Sequence, residues 1–117
     1  ILTSSLAATK VLDGHAVYAG SKAAIGAFAR HWALELRARR IRVNILSPGP
    51  VDTPIIGKLG ITEQGRPDFL RHMSELIPAG RLGDVQELAR AALYLACAES
   101  SFVNGVELHI DGGMSLI

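Results

Sequence analysis

The rhythm of apolar and polar positions changes several times along the chain, and each change marks an element. Residues 1 to 5, Ile1-Leu2-Thr3-Ser4-Ser5, read as a short buried strand ending in hydroxyls, and a loop containing Asp13-Gly14 follows. From about Ala16 to Arg39 the period becomes helical, with Val17, Ile25, Phe28, Ala29, Trp32 and Leu36 at helical spacing. Small residues (Ala19, Gly20, Ala23, Ala24, Gly26, Ala27) fill much of the rest and allow close approach of a neighbour. Arg37, Arg39 and Arg40 at its end suit the negative pole of a helix dipole. Ile41 to Leu46 is apolar and β-branched enough for a second strand, closed by Ser47-Pro48-Gly49-Pro50. Residues 53 to 83 carry Pro54, Pro67, Pro78 and several glycines, with Pro67 able to open a short helix running to about Leu76. Asp84 and Glu87 predict a capping-box start to a helix reaching roughly Ala98. Val106, Leu108 and Ile110 then alternate with Glu107, His109 and Asp111, the period of a strand, which Asp111-Gly112-Gly113 stops.

Strands separated by helices imply parallel pairing and a layered α/β sheet. Three such strands would leave much apolar surface bare, so the sheet calls for further strands. The 117 residues suffice for one domain and not two. With 12 basic against 11 acidic residues, nothing in the charge favours nucleic acid or an anionic membrane. No apolar run approaches the ~18 residues needed to span a bilayer. One cysteine, Cys97, cannot form an internal disulfide, which points to a reducing, cytoplasmic compartment. His15, His31, His72 and His109 lack metal-ligand spacing, so no metal site is expected. The chain opens inside a strand, without an initiator Met, and is expected to be part of a longer protein.

The densest chemistry lies in Tyr18-Ala19-Gly20-Ser21-Lys22. On a helix, positions i and i+4 share a face, about 6 Å apart along the axis. An ammonium at that distance stabilises a phenolate by roughly 3 kcal/mol at an effective dielectric of about 20, enough to suit a phenol for general acid–base work. Taken alone, such a pair is more often a half-buried ring beside a solvated amine. Ser5 lies thirteen residues before Tyr18, at a strand end, where it could hydrogen-bond the same substrate oxygen; Ser4 and Ser5 are otherwise ordinary turn caps. The turn from Ser47 to Thr53 follows the second strand at the sheet edge where α/β proteins bind ligands, and its plainer meaning is a rigid strand exit.

Together these residues resemble the short-chain dehydrogenase/reductase family, in its shorter single-domain subgroup. The resemblance covers Ser5, Tyr18 and Lys22 at family spacing, Arg42-Val43-Asn44, the Pro48-Gly49 turn, Gly80-Arg81-Leu82-Gly83, and Gly105 to Gly113. It implies that residues 1–117 form the C-terminal, catalytic half of a Rossmann-type doubly wound parallel sheet, with the N-terminal half absent. It further implies NAD(P)(H)-dependent hydride transfer between a carbonyl and an alcohol. Tyr18 would be the general acid or base, Lys22 would hydrogen-bond the nicotinamide ribose and assist Tyr18, and Ser5 would orient the carbonyl. Pro48, Gly49, Val51 and Thr53 would cradle the nicotinamide, while Ala7, His15 and Pro50 would line the substrate pocket. Asn44 looks structural in this pattern. Residues 53 to 83 would be a substrate lid, on which His72 and Met73 are surface and packing residues. His15 is equally readable as a loop histidine.

The pattern also departs from the family. The glycine-rich phosphate-binding turn has no counterpart here, since Gly14, Gly20 and Gly26 are six apart. The residue that chooses NAD or NADP and the upstream Asn of the proton relay are likewise missing. Two readings follow. In the preferred one the chain belongs to a longer oxidoreductase acting on a small carbonyl or alcohol. In the other the 117 residues are the whole species, a non-enzymatic binding or oligomerising module with relic Tyr18 and Lys22. The resemblance implies a homo-oligomer, dimer or tetramer, with small residues and Trp32 of the first helix in the contact.

Overall fold

The computed structural model describes all of residues 1–117. Three parallel strands, β1 (Leu2–Thr3), β2 (Ile45–Pro48) and β3 (Glu107–Ile110), lie in that spatial order. Leu2 pairs with Ile45, and Ile45 in turn with Glu107, so the two ladders share a register through β2. Helix α1 (Ala16–Glu35) joins β1 to β2. Three helices, α2 (Ile55–Lys58), α3 (Arg66–Leu76) and α4 (Val85–Ala96), lie between β2 and β3. This is the expected layered α/β arrangement with parallel pairing.

The small residues of α1 decide how it docks. Ala29, wholly buried, packs on Val43 and Ile45, flanked by Ile25, Ala33 and Leu36. A methyl side chain at the contact lets the helix axis come close to the sheet. The apolar stripe expected on this helix therefore splits. Ile25, Ala29 and Leu36 face the sheet, whereas Val17 is 90% exposed and Phe28 and Trp32 lie outward, stacked with ring centroids 5.5 Å apart. Leu46, which alternation turns to the opposite face from Ile45, is also buried, so β2 is covered on both sides. Helix α1 stops at Glu35, short of Arg39. A separate 3-10 turn at Arg37–Arg39 follows, and the Arg37 guanidinium donates to the Leu34 carbonyl.

Strand β2 begins at Ile45 rather than Ile41, and side chains explain the shift. Val43 N–H donates to Asn104 Oδ1 (2.8 Å), Asn44 Nδ2 donates to the Val103 carbonyl (2.9 Å), and Asn44 Oδ1 accepts from Val106 N–H (3.1 Å). These bonds occupy the main-chain positions at which pairing with the β3 side would otherwise start. The Arg42 guanidinium adds three donations, to the carbonyls of Val103, Leu95 and Cys97.

The excursion after β2 leaves and rejoins the sheet at one place. Val51 pairs with Gly83 in a parallel bridge, with Gly83 N–H on the Pro50 carbonyl and Asp52 N–H on the Gly83 carbonyl. Between them α2 forms where no helix was expected. Helix α3 forms as predicted, with Pro67 in its first turn. Beyond α3, Ile77 is buried with Leu6 and Met114, and Met73 and Leu82 pack around that cluster. Helix α4 starts on the predicted capping box. Asp84 Oδ1 accepts from Gln86 N–H and Glu87 Oε2 accepts from Asp84 N–H, each at 2.8 Å. It ends at Ala96, before Ala98.

Strand β3 does not sort its residues into inward and outward sets; all four are half-buried. Glu107 is tolerated because the fully buried Ser47 hydroxyl donates to its Oε1 at 2.5 Å.

Candidate active site

In a parallel sheet all C-terminal strand ends lie at one edge, and the predicted site residues come from two adjacent ends. At the end of β1, Ser5 caps a 3-10 turn (Leu6–Ala8), its Oγ accepting from Ala7 N–H at 3.2 Å. Helix α1 then returns past this point. Lys22 Nζ donates to the Thr3 carbonyl (3.1 Å), and the buried Ser4 hydroxyl donates to the Lys22 carbonyl (3.0 Å). The same ammonium lies 5.8 Å from the centre of the Tyr18 ring, which is 46% exposed. His15, at the N-terminal cap of α1, meets that ring edge-on at 6.3 Å, with its Nδ1 2.6 Å from the Asp13 carbonyl. Beside this group is a recess of about 360 Å³ lined by Ala7, Leu12, Ala16 and Ala19 among others.

At the end of β2 a second recess, of about 310 Å³, is lined by Pro48, Gly49, Pro50, Val51 and Thr53. Ile55, Ile56 and Leu59 of the excursion complete it, so its wall is largely apolar. Ser5, Ala7, His15, Tyr18 and Lys22 thus gather at one strand end and Pro48 to Thr53 at the next. Of the first group only Ala7 lines the recess beside it, Ser5, His15, Tyr18 and Lys22 standing outside its wall, whereas Pro48 to Val51 and Thr53 all line the second, Pro50 among them rather than beside Ala7 and His15.

Two contacts that hold this edge together had no signal in the chain's periodicity. The first is the grip of Thr3 and Ser4 on Lys22. The second joins the β2 and β3 exits: a Cβ placed on Gly49 would lie 2.6 Å from both Cα and Cβ of Asp111. Only glycine lets the turns approach so closely. Asp111 is held there by Gly113 N–H on Oδ1 and Ser115 N–H on Oδ2, each at 2.9 Å. Burial pushes its carboxyl up, but the bonds from Ser115 and Gly113, with His109 nearby, outweigh this and leave it below the ordinary carboxylate range. Gly112, at φ +62°, lets the chain pass close against Ile77, whose Cγ2 would lie 2.7 Å from a Cβ there.

At the base of the excursion, Arg81 holds Glu87 by two donations of 2.8 and 2.6 Å. Hydrogen bonding to Arg81, with the Asp84 N–H, lowers the Glu87 carboxyl to about 2. Arg66, the first residue of α3, is ion-paired with Asp52. No group of three His, Cys, Asp or Glu side chains lies close enough together to hold a metal ion. No helix is long and apolar enough to cross a membrane.

A family described as Enoyl-(Acyl carrier protein) reductase matches residues 1–115. The chain is 40% identical over 113 residues to the 2,5-dichloro-2,5-cyclohexadiene-1,4-diol dehydrogenase LinX of Sphingobium indicum, covering 97% of this chain and 43% of that protein. Among solved structures, a short chain dehydrogenase/reductase family protein superposes with a TM-score of 0.83 at 36% identity, covering 98% of this chain and 44% of the other. The gluconate 5-dehydrogenase from Burkholderia cenocepacia, solved in complex with NADP and tartrate, gives a TM-score of 0.85 at 30% identity, covering 98% and 44%. The chain spans less than half the length of these relatives. A match that runs from the first strand to the last, in sequence and in fold, makes this chain a member of the short-chain dehydrogenase/reductase family of oxidoreductases.

Proposed function

We propose that the chain supplies the proton-transfer site and the nicotinamide end of an NAD(P)(H)-dependent oxidoreductase that interconverts a small carbonyl compound and its alcohol. One observation carries this reading. Tyr18 and Lys22 stand one helical turn apart, beside Ser5, which lies two residues past β1 because that strand stops at Thr3 rather than running through residues 1 to 5, with the Lys22 ammonium 5.8 Å from the Tyr18 ring.

Each side chain has a task that its hydrogen bonds favour. Ser5 Oγ already accepts from Ala7 N–H, so its own proton is free for a substrate oxygen. That donation orients and polarises the carbonyl. Tyr18 donates its phenolic proton to the same oxygen in reduction and takes one back in oxidation. Lys22 commits one of its three donors to the Thr3 carbonyl, leaving two for a ribose hydroxyl and for solvent.

The recess at the β2 exit suits a nicotinamide ring: it is largely apolar, and its Gly49 edge is placed by the close approach to Asp111. Pro48, Gly49, Val51 and Thr53 would hold the ring, which supplies or accepts the hydride when bound. NADP in the gluconate 5-dehydrogenase complex supports a nicotinamide cofactor of this type, NAD or NADP. Ala7, His15 and Pro50 would line the substrate side. Residues 53 to 83 would act as the lid that excludes water. Because Ile77 and Met73 tie the end of α3 to Leu6 and Met114, closure falls to residues 53–65. The outward Val17, Phe28 and Trp32 and the fully exposed Phe102 favour a homo-oligomer, dimer or tetramer, and the lone free Cys97 favours a reducing compartment, the cytoplasm.

Tyr18→Phe in the intact protein tests this reading. Turnover should fall by about 10² to 10⁴, while the cofactor's dissociation constant, read from nicotinamide fluorescence, stays within about twofold. Turnover within tenfold of the parent would refute it.

A further inference from the structure

Lys22 is held at both of its ends by the last residue of β1 and the residue after it. Its ammonium donates to the Thr3 carbonyl at 3.1 Å, and its main-chain carbonyl accepts from the Ser4 hydroxyl at 3.0 Å. Ser4 is only 4% exposed, and its own N–H is spent on the Leu46 carbonyl of β2 at 2.9 Å. The strand register therefore fixes where the Ser4 hydroxyl points, and it points into α1. A helical carbonyl has a second lone pair, so this bond adds to the helical ladder rather than replacing part of it.

The geometry points to Ser4 as a positioning residue for the proton-transfer site, which rests on the reading of Tyr18, Lys22 and Ser5 given above. Two cross-links to consecutive residues at the end of one strand stop α1 from sliding or turning against β1. Tyr18 lies one turn before Lys22 on the same face, so whatever fixes Lys22 also fixes the phenol. Ser5, the next residue after Ser4, carries the hydroxyl that must converge on the same substrate oxygen. The buried hydroxyl of Ser4 is spent on the Lys22 carbonyl. It holds in one frame the two elements that carry Ser5 and Tyr18. Without it, the Lys22 side chain remains as the only polar link from α1 to this strand end, and that link is flexible and exposed.

Displacement by about 1 Å is enough to cost up to about 10² in rate at a site of this kind. Ser4→Ala in the intact protein should lower kcat by about ten- to a hundredfold. Ser4→Thr, which keeps the hydroxyl on a β-branched residue suited to a strand, should restore kcat to within about threefold of the parent. In a Tyr18→Phe background, where the aligned proton transfer is already lost, Ser4→Ala should change the residual rate less than about twofold. A general folding defect would instead lower both backgrounds by the same factor and would not be rescued by Thr. A silent Ser4→Ala, equal losses in the two backgrounds, or a Thr variant as slow as Ala each overturns the positioning role. If Tyr18→Phe itself keeps full turnover, the catalytic reading falls and the positioning role falls with it. If Tyr18→Phe is inactive and Ser4→Ala is silent, only the positioning role is lost.

Discussion

Adding one methyl group at Gly49 should break the contact between the β2 and β3 exits. In Gly49→Ala the new Cβ would sit 2.6 Å from Asp111 Cα and Cβ and 3.2 Å from its carbonyl oxygen. Asp111 cannot retreat cheaply. Its carboxylate is tied to Gly113 and Ser115, and its carbonyl accepts from Met114 N–H at 3.1 Å. The Gly49 turn must lift instead, straining its 3.0 Å bond to the Ile110 carbonyl. Overpacking costs typically about 1–3 kcal/mol and a lost hydrogen bond about 1 kcal/mol, so the expected loss is about 2–4 kcal/mol. Gly57→Ala is the matched control. It lies in α2 with nothing within 4 Å of its built Cβ, and alanine there should be neutral or stabilising by up to about 1 kcal/mol. Urea unfolding followed by far-UV circular dichroism reads both. A midpoint for Gly49→Ala about 0.7 M or more below the parent is expected, given slopes of about 1–3 kcal/mol/M. A Gly49→Ala variant within about 0.5 kcal/mol of the parent would refute the close-approach argument. The same variant should bind nicotinamide cofactor more weakly, since the displaced turn lines the recess.

Asp111, whose carboxyl is depressed in the folded state, should stabilise the fold fully above the ordinary carboxylate range and lose that contribution as pH falls through its lowered value. Acid unfolding curves for Asp111→Asn should therefore be flatter below about pH 4 than the parent's, and an identical acid limb would count against the hydrogen bonds assigned to it. The Glu87 carboxyl should titrate near 2 by NMR and move back toward the ordinary glutamate range in Arg81→Met; a parent midpoint above 4 would contradict the two-point contact. Asn44→Ala should cost about 2–3 kcal/mol, because it leaves Val106 N–H without a partner and takes from the Val103 carbonyl one of its two donors, Arg42 being the other, at a site only 2% exposed. Calorimetry showing a loss below about 1 kcal/mol would mean that water replaces the amide.

Much of the architecture was legible in the chain because it depends on neighbours in sequence. The capping box at Asp84 and Glu87 needs residues three apart, and α4 begins there. Pro67 marks the first turn of α3 for the same local reason. The alternation of strand and helix was enough to imply parallel pairing, whereas Ser5, Tyr18 and Lys22 became a candidate site only through the family resemblance that their spacing shares with the other motifs. At two places where expectation and structure part, a distant residue had intervened. Strand β2 starts late because Asn104 and Val106 engage Val43 and Asn44. Phe28 and Trp32 face outward because alanine, the smaller side chain, wins the contact with Val43 and Ile45. Helix α2 escaped notice because a four-residue helix after Pro54 has too few positions to show a period.

The sequence by itself determined the kinds of element, their order and the residue types with catalytic capacity, since these follow from backbone propensity, side-chain period and functional-group chemistry. Tertiary structure alone decided what those residues can do together. It set the β1 carbonyl and hydroxyl that grip Lys22, the buried Ser47 that accommodates Glu107, and the approach of Asp111 that leaves room only for glycine at position 49. Each of these is a meeting of residues far apart in the chain, and their distances are fixed by sheet register and helix docking, which are properties of the whole packed fold.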